Sequence, residues 1–300
     1  VHEAARGVLA GAAHSNPVVR LELARTLNLL GSTGLSGGND SMMGVMRRRR
    51  RPAASGGGSP PGDALDSEAA AFEEARSILH DLMRQDPMNP EFQYELAQCG
   101  RSQALLALKE ADTSEARRLL ASALADLESL ARDFPDVPLY QYELADTLCY
   151  QVPGRRGAAP VPEDYADRAV VIAGRLSARY PWMEGYEALL ATALTRQASV
   201  REDTGRLEEA EAGYRDAVAR FRDLAEQQGS TAYEVACAKA LQGLGDVLRE
   251  QGRPGDSQDV LEEAISMVEA HGRSRQPAYR GLLGRLDRSL EATLRETDGR

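Results

Sequence analysis

Few residue patterns in this sequence could support catalysis. Gly34-Leu-Ser36-Gly-Gly38 matches the Gly-x-Ser-x-Gly pattern of a nucleophilic serine, but such a serine needs a strand before it and a helix after it. The surrounding stretch is rich in Gly and Ser, so chance explains the match better. No Gly-Lys-Ser/Thr exists, because Lys109 precedes Glu110 and Lys239 precedes Ala240. The chain therefore contains no phosphate-binding P-loop.

The sequence also lacks the residue spacings that metal or thiol chemistry needs. His2-Glu-Ala-Ala-Arg6 begins like a zinc-binding helix but has no second histidine on the same face. Cys99, Cys149 and Cys237 are odd in number and far apart, which argues against a disulfide framework and fits a reducing cytosol. We expect Cys99 and Cys149 to be small buried packing residues. The residues thus predict no catalytic site, no metal and no cofactor in a cytoplasmic protein.

Composition and charge favour a helical, globular protein. The 300 residues are 42% hydrophobic, 27% charged and 5% aromatic, and the net charge is −10. This is a globular composition. Residues 1–65 carry a charge of +4 and residues 66–300 a charge of −14. Because phosphate contacts need clustered cations, we expect no nucleic-acid partner. No apolar run approaches the length of a membrane span, so we expect no membrane segment.

Helical periodicity runs through most of the chain from Leu65 onward. Between Ala116 and Leu130 the apolar residues recur every three or four positions, as on one face of a helix. Asp112 precedes this run as a helix start, and Asp133-Phe134-Pro135 ends it. No segment alternates with a period of two. The sequence therefore predicts an all-α protein.

An internal repeat organises these helices. Pro87–Ala97 matches Pro135–Ala145 at an offset of 48 residues, and Pro181–Ala191 keeps the same pattern after another 46. Gly205-Arg206 and Gly252-Arg253 lie 47 residues apart and indicate a second shared turn. Each unit is predicted to contain two helices, the first starting after Pro-x-x-Pro and the second after the Gly turn. Since one helical hairpin cannot bury its apolar stripe alone, stacked copies predict an α-solenoid of antiparallel helix pairs.

The alternative interpretation is an irregular helical bundle whose repeats arise by chance. It explains the data less well, because a fourth segment, Pro17–Ala24, has the same composition and spacing as the three others.

Several segments resemble the tetratricopeptide (TPR) repeats that follow the kinase domain in bacterial serine/threonine protein kinases. The resemblance rests on Leu23–Gly31, Phe134–Tyr140, Gly205–Arg215, and Leu244-Gly245 followed by Gly252-Arg253-Pro254. It implies a right-handed superhelix of helix pairs that binds proteins. The period of 46–48 residues exceeds the usual 34, which implies longer first helices.

The resemblance and the composition divide the chain into four parts. Residues 1–31 are predicted to form the first TPR-like helices, with a truncated start, and residues 66–296 the repeats with the 46–48 period; residues 297–300 form a tail. Residues 32–65 are low in complexity and are predicted to be a disordered insertion. Within it, Arg47–Arg51 either tethers an anionic partner or is a solvated loop. No aromatic residues alternate with these arginines, which favours the solvated loop.

The predicted function is a protein-interaction scaffold without catalysis. A TPR-like array would bind a protein or peptide on the concave surface formed by its first helices. Polar residues inside those otherwise apolar helices are the candidates for partner binding. They are Asn28, Gln98, Arg101, Asp146, Arg196 and Gln242. Trp182, in a linker, either anchors a partner or covers the end of a helix pair.

The resemblance also implies an alternative function, a regulatory or substrate-docking segment at the C-terminal end of a bacterial serine/threonine kinase. A kinase core needs His-Arg-Asp and Asp-Phe-Gly, and the nearest match here, Asp133-Phe134-Pro135, is a repeat linker. Any kinase activity would therefore belong to a domain upstream of Val1.

Overall fold

The computed structural model describes residues 16–32, 61–110, 112–150, 163–270 and 277–298. Within these ranges all regular secondary structure is α-helical, as the sequence predicted. The helices are α1 (Pro17–Gly31), α2 (Pro61–Gln85), α3 (Pro90–Lys109), α4 (Thr113–Asp133), α5 (Pro138–Cys149), α6 (Glu163–Arg179), α7 (Glu184–Asp203), α8 (Leu207–Gln228), α9 (Thr231–Glu250), α10 (Pro254–Glu269) and α11 (Pro277–Asp298).

The described helices belong to two compact units. Helices α1 to α5 lie in the first unit and α6 to α11 in the second. Within each unit, every helix packs against the helix that precedes or follows it. Because the described connections are only two to four residues long, neighbouring helices run antiparallel. The predicted solenoid of antiparallel helix pairs is confirmed, and we call the odd-numbered helices first helices and the even-numbered ones second helices.

Helix boundaries follow from local chemistry. Proline occupies the first turn of α3 and α5, where its missing N–H costs nothing. The side chains of Asn89 and Asp112 accept hydrogen bonds from backbone N–H groups at the starts of α3 and α4. Gly205 and Gly252 have φ angles of 75° and 76° between first and second helices, a conformation that glycine adopts at low cost. The predicted starts of α3 and α5 and the two predicted glycine turns therefore agree with the structure.

The buried face of α4 is the one that the periodicity predicted. The residues of this apolar stripe are all buried, namely Ala116, Leu119, Leu120, Ala123, Leu124, Leu127 and Leu130. The alanine of each repeated Leu-Ala pair is also buried, because a small residue lets the first helix approach its neighbours closely. These alanines are Ala24, Ala97, Ala145 and Ala191.

Glycines allow an even closer approach between first and second helices. A Cβ atom on Gly31 would lie 2.7 Å from the Phe72 ring, and one on Gly245 would lie 2.7 Å from Leu261. Both distances are shorter than real Cβ contacts, so any larger residue would force the Phe72 or Leu261 side chain to move.

Several predictions concern residues outside the described ranges. The insertion predicted at 32–65 stays a prediction, although α2 begins at Pro61, within that span. His2, Ser36 and Arg47–Arg51 also lie outside the described residues. Helix α11 continues to Asp298, into the predicted tail. Among the described helices, none is sufficiently long and apolar to span a membrane.

Candidate protein-binding surface

First helices of successive pairs touch each other within each unit. Helix α1 contacts α3 in the first unit, while α9 contacts both α7 and α11 in the second. Their side chains therefore form a continuous surface that crosses several repeats. Such a surface has the length of a peptide or a helix, not of a small molecule.

Two of the six predicted residues meet in a buried ion cluster. The Arg101 guanidinium on α3 donates hydrogen bonds to the carboxylates of Glu143 and Asp146 on α5. The Arg101 side chain is 11% exposed, and the two carboxylates are 0% and 4% exposed. The Tyr94 hydroxyl donates a further hydrogen bond, 3.3 Å long, to Glu143 Oε1. The cluster therefore joins two first helices.

Burial dominates the electrostatics of this cluster. It raises the pKa of Asp146 above its usual range, although the charge of Arg101 acts in the opposite direction. It also raises the pKa of Tyr94, an effect that the charge of Glu143 increases. A partner would have little access to Arg101 or Asp146, because both are nearly sealed from solvent.

The other four predicted residues differ in accessibility. Asn28 on α1 is buried, and its side-chain oxygen has no hydrogen-bond partner among the described residues. Gln98 on α3, Arg196 on α7 and Gln242 on α9 are partly exposed. These three are the candidates for direct contact, although the Gln98 Nε2 and Arg196 Nε atoms are themselves buried.

A second ion cluster, between α1 and α3, was not predicted. Arg25 on α1 bridges Glu91 at 2.5 Å and Glu95 at 2.7 Å on α3. The repeat contained a clue, because Glu95 and Glu143 occupy the same position of the repeated Tyr-Glu-Leu-Ala segment. In both copies this glutamate meets an arginine of the preceding first helix.

Two surface cavities lie in the first unit. One, of about 320 Å³, adjoins the Arg25 cluster between the N-terminal ends of α1 and α3. The other, of about 490 Å³, lies between α2 and α4 above Gly100 of α3, with Arg76, Arg118 and Asp126 among its lining residues. The first cavity is mainly acidic, with Glu22, Asp86 and Glu91 against Arg25, whereas the second mixes both charges equally.

Cys99 and Cys149 fill packing positions, as predicted, and Cys237 does so as well. All three are buried. Burial raises the pKa of Cys99 to about 12 and that of Cys237 to about 11, so neither thiol is activated. The described residues contain no group of acidic, His and Cys side chains that could hold a metal ion.

Trp182, in the linker between α6 and α7, is 75% exposed. Its ring contacts Tyr180 edge to face, with 5.9 Å between the ring centroids. Most of the ring is therefore accessible to solvent, and the choice between partner binding and covering the end of a helix pair stays a prediction.

The fold and this surface define an all-α helical-repeat protein. No protein-family model matches the sequence, and no curated protein matches it. Among solved structures, TTC0263, a thermophilic TPR protein of Thermus thermophilus, is 18% identical, with 74% of this chain and 92% of that chain covered and a TM-score of 0.37. Yeast Tom70 is 11% identical, with coverages of 99% and 79% and a TM-score of 0.20. Both scores are low, and the fold class rests on the helix pairs described above.

Proposed function

We propose that this chain is a protein-interaction scaffold that binds a protein or peptide across its first helices, on the concave surface that a TPR-like superhelix would form. The observation that supports this function is the contact between successive first helices, α7 with α9 and α9 with α11. Side chains of several repeats can thereby contact one partner at the same time, which is how helical-repeat proteins bind extended ligands.

The six predicted residues have different roles in this proposal. Gln98, Arg196 and Gln242, which are partly exposed, contact the partner directly. Arg101 and Asp146 hold α3 against α5, and Asn28 lies buried within α1. These three shape the surface rather than touch the partner.

To test the proposal, a photoreactive amino acid replaces Gln242 in the source cells, and the protein that it crosslinks is identified. That partner is then purified, and its affinity for this chain is measured. We expect Arg196→Glu to weaken that affinity about tenfold, since one charged interface contact is worth about 1–2 kcal/mol. Arg132→Glu, at an exposed arginine of second helix α4, is the matched control. Equal affinities for wild type and Arg196→Glu would contradict the assignment of this surface.

We also propose, from the resemblance of Leu23–Gly31 to kinase-associated repeats, that the scaffold serves a cytoplasmic bacterial serine/threonine kinase as a regulatory or substrate-docking segment. The chain itself would then be non-catalytic. Sequencing the gene upstream of Val1 tests this. An open reading frame without His-Arg-Asp and Asp-Phe-Gly would exclude a kinase domain in the same polypeptide.

A further inference from the structure

Helix α6 has an exposed stripe that leads to Trp182. Val171, 50% exposed, lies four residues before Arg175 and eight before Arg179, which are both exposed. Residues at this spacing share one face of a helix. Trp182, 75% exposed, follows directly after the helix. We call Val171, Arg175, Arg179 and Trp182, with the ring of Tyr180, the α6 stripe.

The aromatic end of the α6 stripe is held in place by its neighbours. The Tyr180 ring contacts Trp182 at 5.9 Å and Tyr186 at 5.6 Å, measured between ring centroids. The Arg179 guanidinium lies 5.5 Å from the centre of the Tyr180 ring, within range of a cation–π interaction. A rigid aromatic group loses little conformational entropy on binding, which makes it an efficient anchor.

The α6 stripe is positively charged in a chain of net charge −10. Residues 169–183 contain two arginines and no acidic residue. Within the described part of the chain, neither Arg175 nor Arg179 forms a salt bridge. Nearby carboxylates already have partners. Asp167 accepts a hydrogen bond from Gln197 at 2.6 Å, and Glu187 accepts from Ser177 and Arg220.

We infer that the α6 stripe binds an acidic peptide segment that carries a large apolar side chain. The carboxylates pair with Arg175 and Arg179, and the apolar side chain packs on Trp182. Both components match what the surface offers, two uncompensated cations and one exposed aromatic ring. Nucleic acid fits less well, because its affinity comes from many phosphate contacts with clustered cations, and the stripe offers only two arginines. The site is separate from the proposed first-helix surface and holds whether or not that surface binds a partner.

Trp182 is the only tryptophan of the chain, so its fluorescence reports on this site alone. The full chain is titrated with a twelve-residue peptide of Glu and Leu with one central Phe, and with the same peptide carrying Lys in place of Glu. We expect a saturable shift of the emission to shorter wavelength with the Glu peptide only. The binding should weaken between low and high salt, because exposed ion pairs are screened. An equal response to the Lys peptide would overturn the proposal.

Variants locate the binding to the α6 stripe. Arg175→Glu combined with Arg179→Glu should weaken binding of the Glu peptide at least tenfold, and Trp182→Ala should do the same by fluorescence anisotropy of a labelled peptide. The matched control combines Arg285→Glu with Arg288→Glu, two exposed arginines on α11, and should bind like wild type. Circular dichroism confirms that the variants fold. If the stripe variants bind like wild type, the proposal is wrong.

Two further probes separate the partner classes and the surfaces. Trp182 fluorescence should not change on addition of a twenty-nucleotide oligothymidylate or of vesicles of anionic phospholipid. A stronger response to either probe than to the Glu peptide would overturn the acidic-peptide assignment. Arg196→Glu, on the first-helix surface, should leave the Glu-peptide titration unchanged. A failure of the α6 stripe is thus distinguishable from a failure of the proposed function.

Discussion

The Arg101 guanidinium lies between two buried carboxylates, and this position determines what a substitution there would do. A polar residue on a first helix fits a binding residue and a buried ion cluster equally well. Taking away one charge of such a cluster leaves the others in a medium where they cannot be solvated. The cluster with Glu143 and Asp146 should therefore show its role in stability first.

We predict that Arg101→Glu lowers the free energy of unfolding by about 3–5 kcal/mol, because it leaves three acidic side chains together in a buried site. Urea denaturation followed by circular dichroism measures this change. Arg132→Glu, at an exposed position on α4, should change stability by less than about 0.5 kcal/mol. Similar stabilities for the two variants would show that the ion cluster contributes little to folding. For the same reason, charge reversal at Arg196 tests partner binding better than reversal at Arg101.

Glu202 lies near the end of α7 in a strongly acidic environment. Burial, together with the charges of Asp246, Glu250 and Asp203, raises its pKa to about 7, while the hydrogen bond from Tyr214 opposes the shift. The Tyr214 hydroxyl donates to Glu202 Oε2 at 2.7 Å. Ionised Glu202 is thus less favourable in the folded state than in the unfolded state.

The pH dependence of stability follows from this shift. A carboxyl group whose pKa is higher in the folded than in the unfolded state stabilises the fold at low pH and loses that contribution as pH rises through about 7. We predict that at pH 8 the free energy of unfolding of Glu202→Gln exceeds that of wild type by about 1–2 kcal/mol, after allowance for partial solvent screening. The variant should therefore unfold at a higher temperature. At about pH 4, below the ordinary glutamate pKa of 4.5, the two proteins should converge. Thermal denaturation at both pH values checks this, and a constant difference would contradict the assigned titration.

At the scale of helices, glycine sets the distance between the two members of a pair. Gly245 on α9 faces Leu261 of α10, whereas Gly100 on α3 faces Ala123 of α4, with 3.6 Å between the added Cβ and the Ala123 Cβ. That distance is an ordinary van der Waals contact. The same residue type therefore has different consequences in the two pairs.

We predict that Gly245→Ala destabilises the protein by about 1–3 kcal/mol, because the extra methyl group overpacks the contact with Leu261. Gly100→Ala should be neutral or stabilising by up to about 1 kcal/mol, since alanine is the better helix former. Chemical denaturation of both variants gives the comparison. A similar loss of stability in both would mean that backbone conformation, not side-chain volume, determines the effect.

Helix boundaries were predictable from the sequence because their causes are local. The proline before α3, the Asp112 cap of α4 and the Gly205 turn each act within a few residues. The stripe of α4 was predictable because its period is that of the helix itself. The ion clusters were not, because the pairing of Arg25 with Glu95, or of Arg101 with Asp146, depends on the register between helices distant in the chain.

Surface exposure was equally difficult to predict. Polarity within the first helices selected both buried residues, such as Asn28, and partly exposed ones, such as Gln98. The sequence did not show whether Trp182, an aromatic residue in a linker, is buried or exposed. The structure leaves it 75% exposed. The exposure of the first-helix residues and of Trp182 depends on how neighbouring helices cover each position. A local sequence pattern does not predict this.

At the scale of the whole molecule, each unit buries its own set of apolar side chains. In the first unit, Phe72 is completely buried in a core shared by α1, α2 and α3. In the second, Leu241 and Leu261 lie in a core formed by α7 to α11. Because each helix packs mainly against its neighbours in sequence, stability should be distributed along the array rather than concentrated in one centre.

We predict that a core substitution acts mainly on its own unit. Phe72→Ala leaves a cavity and should lower the free energy of unfolding by about 3–5 kcal/mol. In hydrogen exchange measured by mass spectrometry, this variant should show faster exchange in α1 to α3. Gly245→Ala should show faster exchange in α9 to α11. The two variants control for each other, since each should leave the helices of the other unit at wild-type rates. Faster exchange throughout the chain in both variants would show that the two cores unfold as one cooperative system.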